Sequence, residues 1–353
     1  MHGESVPSFL IGDRRVGAGQ SPYVIAELSG NHNGDLGRAL ALVDAAAAAG
    51  ADAIKLQTYT ADTMTIDCDR PEFTIRGGLW DGRTLYRLYE EAHTPWEWHA
   101  ALFRRAREHR IGVFSTPFDE SAVDFLETLD APAYKIASFE LTDLPLIARA
   151  ARTAKPLIIS TGMGSLDEIA AAVETARRNG AAGIALLHCV SAYPAPVADI
   201  NLATMPDLAD RYNVPAGLSD HTMGGDVAIA AVALGACIIE KHFTLRRADG
   251  GPDSAFSMEP EEFAAMARGC RTAWTALGHV SHERETSEEG NVQFRRSLYF
   301  VRDMPAGAVI TRDDVRAIRP GHGLPPGEID RVLGRRARVA IARGTPVGEA
   351  MFE

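Results

Sequence analysis

Between about residue 23 and residue 277, short apolar runs alternate with longer stretches whose apolar residues recur every three to four positions. The short runs are YVIAEL (23–28), AIKLQT (53–58), GVFSTP (112–117), AYKIAS (133–138), PLIIST (156–161), IALLHC (184–189), AGLSDH (216–221) and IIEKHF (238–243). Their length suits strands. The stretches between them, such as GRALALVDAAAAAG, DESAVDFLETLD and SLDEIAAAVETARRNG, carry a helical period. Several open on an Asp or Ser cap and close on Gly. Strand–helix alternation predicts a parallel sheet. Eight such units over about 255 residues predict a (β/α)8 TIM barrel. A doubly wound open sheet is the rival, but no G-x-G-x-x-G follows the first strand.

Four regions stand outside that repeat. FLIGDRRVG, ahead of the first strand, reads as a small hairpin that closes the barrel floor. Residues 59–93 form a long insertion after the second strand, and loops of that length tend to be functional. The stretch GHVSHERETSEEGNVQ is polar and charged. Beyond it the chain becomes Arg-rich, with the turn signals PAG, PGHG, PPGE and RGTP between short strands. The predicted organisation is a barrel domain over 1–280, a linker over 281–293 and a small second domain over 294–353.

A net charge of −11 argues against non-specific binding to nucleic acid or an anionic membrane. An anionic substrate would need basic groups gathered locally. No apolar run approaches the roughly 20 residues that span a bilayer. The opening MHGESVPSFLIGDRR lacks the basic-then-apolar layout of a secretory signal. The four cysteines form no C-x-x-C pair, and Cys189 and Cys237 sit in apolar strands as buried thiols. These features predict a cytoplasmic protein with no nucleic-acid or membrane partner.

The candidate chemistry lies at the strand ends, where a barrel of this type carries its active site. They bear Glu27; Lys55 and Gln57; Ser115 and Thr116; Lys135 and Ser138; Ser160 and Thr161; His188; Ser219, Asp220 and His221; and Glu240, Lys241 and His242. Packing alone does not explain eight polar strand ends, because an unpaired buried polar group costs a few kcal/mol. In IIEKHF the alternation of faces sends Glu240 and His242 one way and Lys241 the other. Lys241 then pairs with a carboxylate behind the sheet. His221 and His242, on neighbouring strand ends with Glu27 and Asp253 near, suit a divalent metal such as Mn²⁺, Co²⁺ or Mg²⁺. The alternative is a pair of hydrogen-bonded core histidines. Lys55 and Lys135, with Thr116, Ser138, Ser160 and Ser219, suit a phosphate or carboxylate cradle. The alternative there is a pair of structural salt bridges. The turn STGMGS leads into a helix capped by Ser165 and offers further N–H donors. SGNHNG (29–34) and SAYPAP (191–196) are site loops or ordinary turns.

Together these stretches resemble the phosphoenolpyruvate-dependent sialic acid synthases. The resemblance runs through VIAELSGNHNG, AIKLQTY, STPFD, YKIASFE, IISTGM, LLHCVSAYP, GLSDHT, IEKHFTL and GPDSAFSMEP. The tail FRRSLYFVRDMPAGAVITRDDVRAIRPGHGL resembles that family's antifreeze-like (SAF) domain. The insertion LWDGRTLYRLYEEAHTPWEWH, with KIASFELTDLPLI and RADGGPDSAFS, resembles the branch that makes pseudaminic acid. The resemblance implies condensation of phosphoenolpyruvate with 2,4-diacetamido-2,4,6-trideoxy-L-altrose and water. N-acetylneuraminate and legionaminate synthesis are the alternatives. It implies His221 and His242 as ligands of a divalent metal, Mn²⁺ before Mg²⁺ or Co²⁺. Lys55, Thr116, Lys135, Ser138, Ser160 and Ser219 would hold phosphoenolpyruvate, and Glu27 would handle protons. Tyr193 and Asp253 would contact the sugar. Arg319 would reach it from the partner subunit of a domain-swapped homodimer. Ser191 stands where many of the family carry Asn, a departure at the sugar.

Overall fold

A computed structural model describes residues 8–353 of the chain. A short hairpin, Phe9–Ile11 (β1) against Arg14–Val16 (β2), precedes eight parallel strands. These are Tyr23–Glu27 (β3), Ala53–Thr58 (β4), Gly112–Pro117 (β5), Tyr134–Ile136 (β6), Leu157–Ser160 (β7), Ile184–Cys189 (β8), Ala216–Asp220 (β9) and Ile238–His242 (β10). They pair in sequence order, and β10 pairs with β3 to close the ring. The (β/α)8 barrel expected from the sequence is therefore present. Helices follow the strands and begin where the caps predict. Asp35 caps Leu36–Ala48, Asp119 caps Glu120–Thr128, and Ser165 with Glu168 forms a reciprocal capping box on Leu166–Arg178.

The two-residue period of each strand sorts its side chains into two cores. Outward residues such as Val24, Ala26, Ile54, Leu56, Tyr134, Leu157, Leu186 and Ile239 pack with the helices in the main core. Inward residues near the strand starts form a second core: Tyr23, Ile25, Ala53, Phe114, Ile158, Leu187 and Ile238. The hairpin contributes Phe9, Ile11 and Val16 to it, so it closes the floor. Gly183 lets it do so, because a Cβ there would collide with the Phe9 ring. Each buried Ile, Leu or Phe side chain contributes about 1.5–3 kcal/mol. That floor offsets the polar layer above it.

The insertion after β4 holds two short helices, Ala61–Met64 and Leu85–Ala92, and one isolated bridge between Thr74 and Thr84. Trp80 fastens it to the barrel mouth by donating from Nε1 to the Pro252 carbonyl at 2.9 Å.

The chain divides into two compact units, residues 1–278 and 279–353. In the second unit, exposed 3-10 turns run over Thr286–Phe294. Ser297–Phe300 (β11) then pairs antiparallel with Val315–Ile318 (β12). Isolated bridges such as Met304–Ile341 and Ala337–Phe352 wrap its small core of Leu298, Phe300, Ile310, Val315, Val332 and Val347. Among the described residues no helix is long and apolar enough to cross a membrane.

Candidate active site

Above the apolar floor the inward positions turn polar. Continuing the alternation from Ile25, Ala53, Phe114, Ile158 and Ile238 puts Glu27, Lys55, Thr116, Ser160 and Glu240 in the lumen, one layer up. All five are buried. Lys55 Nζ lies 2.5 Å from Glu27 Oε2 and 3.8 Å from Glu240 Oε1, and donates to Thr116 Oγ1 at 3.1 Å. Lys135 Nζ lies 3.8 Å from Glu240 Oε1 and donates to Ser160 Oγ at 2.6 Å. Ser219 Oγ donates to Glu240 Oε1 at 3.2 Å. Two ammonium groups and two carboxylates thus share one buried chamber.

The charges are unequally placed. Burial opposes the Glu240 carboxylate, but Lys135 and Lys55 outweigh it and hold its pKa below the ordinary value. Burial pushes Glu27 upward and Lys55 only partly offsets it. A proton entering the chamber therefore goes to Glu27 before Glu240. Burial and the neighbouring Lys55 depress Lys135, while Glu27 and Glu240 hold Lys55 charged against burial. Valences stay open too. Among the described residues Glu240 Oε2 is buried with no hydrogen-bond partner, and Glu27 Oε2, though close to Lys55, makes no aligned hydrogen bond. Buried polar groups are normally satisfied, so such gaps mark a site built for something else.

His221 and His242 stand at the mouth with ring centroids 5.5 Å apart. His221 Nδ1 donates to the Val190 carbonyl at 3.0 Å, which leaves Nε2 as the free lone pair. His242 Nδ1 is buried with no hydrogen-bond partner among the described residues. Burial, then His221 and Lys55, hold His242 neutral far below the usual range. Two imidazoles with unspent nitrogens fit a divalent cation that takes its other ligands from water and substrate. The carboxylates do not complete the set. Among the described residues no third His, Cys, Asp or Glu joins the pair. Glu27 Oε1 accepts from Gln57 Nε2 and from the Ser29 N–H, and Asp253 is bonded by the Ser29 hydroxyl.

An aromatic wall flanks the histidines. Tyr193 packs on His221 at 4.4 Å between centroids and on Phe256 at 5.2 Å, and Trp80 packs on Tyr193 at 5.9 Å. On the other side Ser138 Oγ accepts from the Gly162 N–H at 3.1 Å. A Cβ on Gly162 would strike both Ser138 and Ser191, so the STGMGS turn brings bare backbone against two hydroxyls.

This arrangement can hold a multiply charged anion on two lysines, beside a candidate cation site and a carboxylate whose pKa burial pushes upward. The NeuB family matches residues 42–282, and a SAF domain matches residues 295–353. The chain belongs to the NeuB family. It is 44% identical to a pseudaminic acid synthase of Helicobacter pylori, over 93% of this chain and 97% of that one. It is 39% identical to an N,N'-diacetyllegionaminic acid synthase of Legionella pneumophila, over 93% and 94%. Its fold matches an N-acetylneuraminic acid synthetase from Leptospira borgpetersenii solved with citrate. That match has a TM-score of 0.74 and 32% identity, over 83% of this chain and 98% of that one.

In this NeuB-family chain, Glu27, Lys55, Thr116, Lys135, Ser160, Ser219, His221 and His242 converge on the lumen, with Ser138, Tyr193 and Asp253 at its rim. Arg319 belongs to the second unit, where it is exposed and, among the described residues, has no ion-pair partner. Other strand-end candidates face away. His188 bonds the Ile200 carbonyl behind the sheet, and Ser115 bonds Thr58 at 2.6 Å on the same outer side. SGNHNG is largely structural beyond Ser29. Asn31 Nδ2 bonds the Phe243 carbonyl and Ser257, both at 2.9 Å, and His32 packs edge-on against Trp98. Two residues of the site escaped the sequence reading. Glu140, on the turn after β6, keeps a buried oxygen unpartnered, and burial raises its pKa to about 7 despite Lys135. Its signal was there: an acidic residue two positions past Ser138 in KIASFE. Ser29 is the other.

Proposed function

We propose that this chain condenses phosphoenolpyruvate with 2,4-diacetamido-2,4,6-trideoxy-L-altrose and water, giving pseudaminic acid and phosphate. The observation that carries the chemistry is the chamber of Lys55 and Lys135 beneath two imidazoles with free nitrogens. The choice of sugar rests on the greater identity to the pseudaminic than to the legionaminic acid synthase.

In this reading Lys55 and Lys135 bind the phosphoenolpyruvate anion, with hydroxyls of Thr116, Ser138, Ser160 and Ser219 around it. Binding draws the lysines from Glu27 and Glu240, and Glu27 keeps a proton for the sugar oxygen. Carbon 3 of phosphoenolpyruvate attacks the open-chain aldehyde. Water adds to the cationic carbon 2 and returns a proton to Glu27; phosphate then leaves by C–O cleavage, taking the proton of the new hydroxyl as carbon 2 becomes the ketone. His221 and His242 would hold a divalent cation, Mn²⁺ before Mg²⁺ or Co²⁺, which supplies Lewis-acid polarisation of the aldehyde when bound. The aromatic wall and Asp253 orient the sugar and keep bulk water from the carbon centres.

The domain boundaries of this reading are 1–280, 281–293 and 294–353, and the active species is a domain-swapped cytoplasmic homodimer. Two features favour the dimer. Phe139, Met163, Val197 and Met223, on loops after four barrel strands, are each more than half exposed. The 295–353 segment carries eleven arginines against seven acidic residues in a chain of net charge −11. A partner's segment over the mouth would cover those apolar groups and bring Arg319 to the sugar.

The test is phosphate release from phosphoenolpyruvate with Mn²⁺ and after chelation. It is run with the altro sugar, its legionaminate-pathway counterpart and N-acetylmannosamine, with mass spectrometry of each product. Metal-dependent release and a nine-carbon acid with the altro sugar alone is the expected result. Preference for another sugar would replace the substrate and keep the chemistry. No release with any of them would overturn the reading.

A further inference from the structure

Ser29 has a backbone its side chain does not favour. Its φ is +45°, in the left-handed region where a Cβ is a liability and glycine is at ease. The residue is buried, with 3% of its surface exposed. Everything its polar atoms do points into the site. Its N–H donates to Glu27 Oε1 at 3.2 Å. Its hydroxyl donates to Asp253 Oδ2 and accepts from Gln57 Nε2 at 3.2 Å. Gln57 Nε2 also donates to Glu27 Oε1, at 2.9 Å. Ser29 and Gln57 thus tie Asp253, on the loop after β10, to Glu27 at the end of β3.

We infer that Ser29 is a positioning residue that holds the Asp253 carboxylate against the sugar and sets it in register with Glu27. The inference rests on the proposed reaction. Asp253 has no other hydrogen-bond donor on its side chain among the described residues. Without the hydroxyl its carboxylate is free to rotate, and the Ser29 backbone gains nothing from keeping a Cβ. A purely structural serine here makes the opposite forecast: glycine at a left-handed site would be harmless to function.

The test compares Ser29→Gly and Ser29→Ala with the parent as full-length, metal-loaded proteins. KM for the altro sugar should rise about 10-fold or more in both, the scale of one lost charge-assisted hydrogen bond. KM for phosphoenolpyruvate should stay within about twofold, because the lysine chamber is untouched. Ser29→Gly should keep the parental Tm, since the backbone relaxes as the hydroxyl is lost. In the Asp253→Ala background the Ser29→Ala change should have no further effect on the sugar KM. Crystal structures of parent and Ser29→Ala read the placement of Asp253 without activity. A displaced carboxylate supports the inference even if the parent prefers a different reaction. An Asp253 that stays in place, an unchanged sugar KM in an active enzyme, or equal losses for both substrates would overturn it.

Discussion

Two buried ion pairs lie on opposite faces of the same barrel wall, and they are built differently. Behind the sheet, Lys241 Nζ meets Asp220 Oδ2 at 2.7 Å, and both are almost fully buried. Lys241 also donates to the Thr222 carbonyl, and Asp220 Oδ1 accepts from the Thr222 N–H at 2.8 Å. Both oxygens of that carboxylate are used, and two of the three ammonium donors. In the lumen, Lys55, Lys135, Glu27 and Glu240 are also buried, yet among the described residues Glu240 Oε2 has no hydrogen-bond partner, and Lys135 approaches Glu240 only to 3.8 Å. The outer pair is closed and holds β9 to β10. The inner set is unfinished, and its unfinished valences are what a ligand can complete. Burial of charge by itself does not distinguish structure from function; the state of the remaining valences does.

Breaking each set separates them. Lys241→Ala leaves Asp220 buried and uncompensated. It should cost about 3–5 kcal/mol of stability, with a Tm fall of about 10 °C in thermal denaturation. The kinetics of the folded fraction should change little. Lys135→Ala should do the reverse. It removes one of two cations facing the anion, a loss of about 2–5 kcal/mol in transition-state binding, read as kcat/KM for phosphoenolpyruvate. Its Tm should move far less, because Lys55 still neutralises Glu240. If Lys135→Ala unfolded the barrel and Lys241→Ala abolished turnover, the contrast would be wrong.

The smallest effect concerns neutral buried histidines outside the lumen. His99 bonds Thr58 Oγ1 at 2.8 Å behind the sheet, and burial lowers its pKa to about 4; burial does the same to His32. Both folded pKa values lie below the ordinary value of about 6.5. Between pH 6.5 and 4 the unfolded chain binds more protons than the folded one, so stability falls as pH falls through that window. At pH 5 each contributes about 2 kcal/mol of that loss. His99→Gln should flatten the decline of Tm between pH 7 and pH 5. An unchanged slope would mean that His99 titrates normally.

Much of this was legible in the chain. The fold was, because strand and helix periods are local and eight units admit few closed arrangements. The Lys241 pairing was also legible, since alternation alone sends it behind the sheet while Glu240 and His242 turn inward. The phase of β8 was not. IALLHC is apolar on both faces, so nothing local shows that His188 faces the helices while Cys189 faces the lumen. Glu140 lies on a turn with no period to reveal its direction. Ser29 looks like an ordinary turn serine until its left-handed backbone and its bond to Asp253, 224 residues away, are seen.

The sequence by itself determined which residues are strands, that Glu240 and His242 share one face of their strand while Lys241 takes the other, and that lysines, carboxylates and histidines gather at one end. These follow from periodicity and capping, which act over a few residues. Only the tertiary structure decided which of those charges are spent and which are open. Closure brings β10 beside β3, so that Glu240 sits between Lys55 and Lys135, and among the described residues it leaves the histidines without a third protein ligand. Those outcomes depend on distances of a few ångströms between residues more than a hundred positions apart, where a small shift decides whether a buried charge is satisfied or waiting.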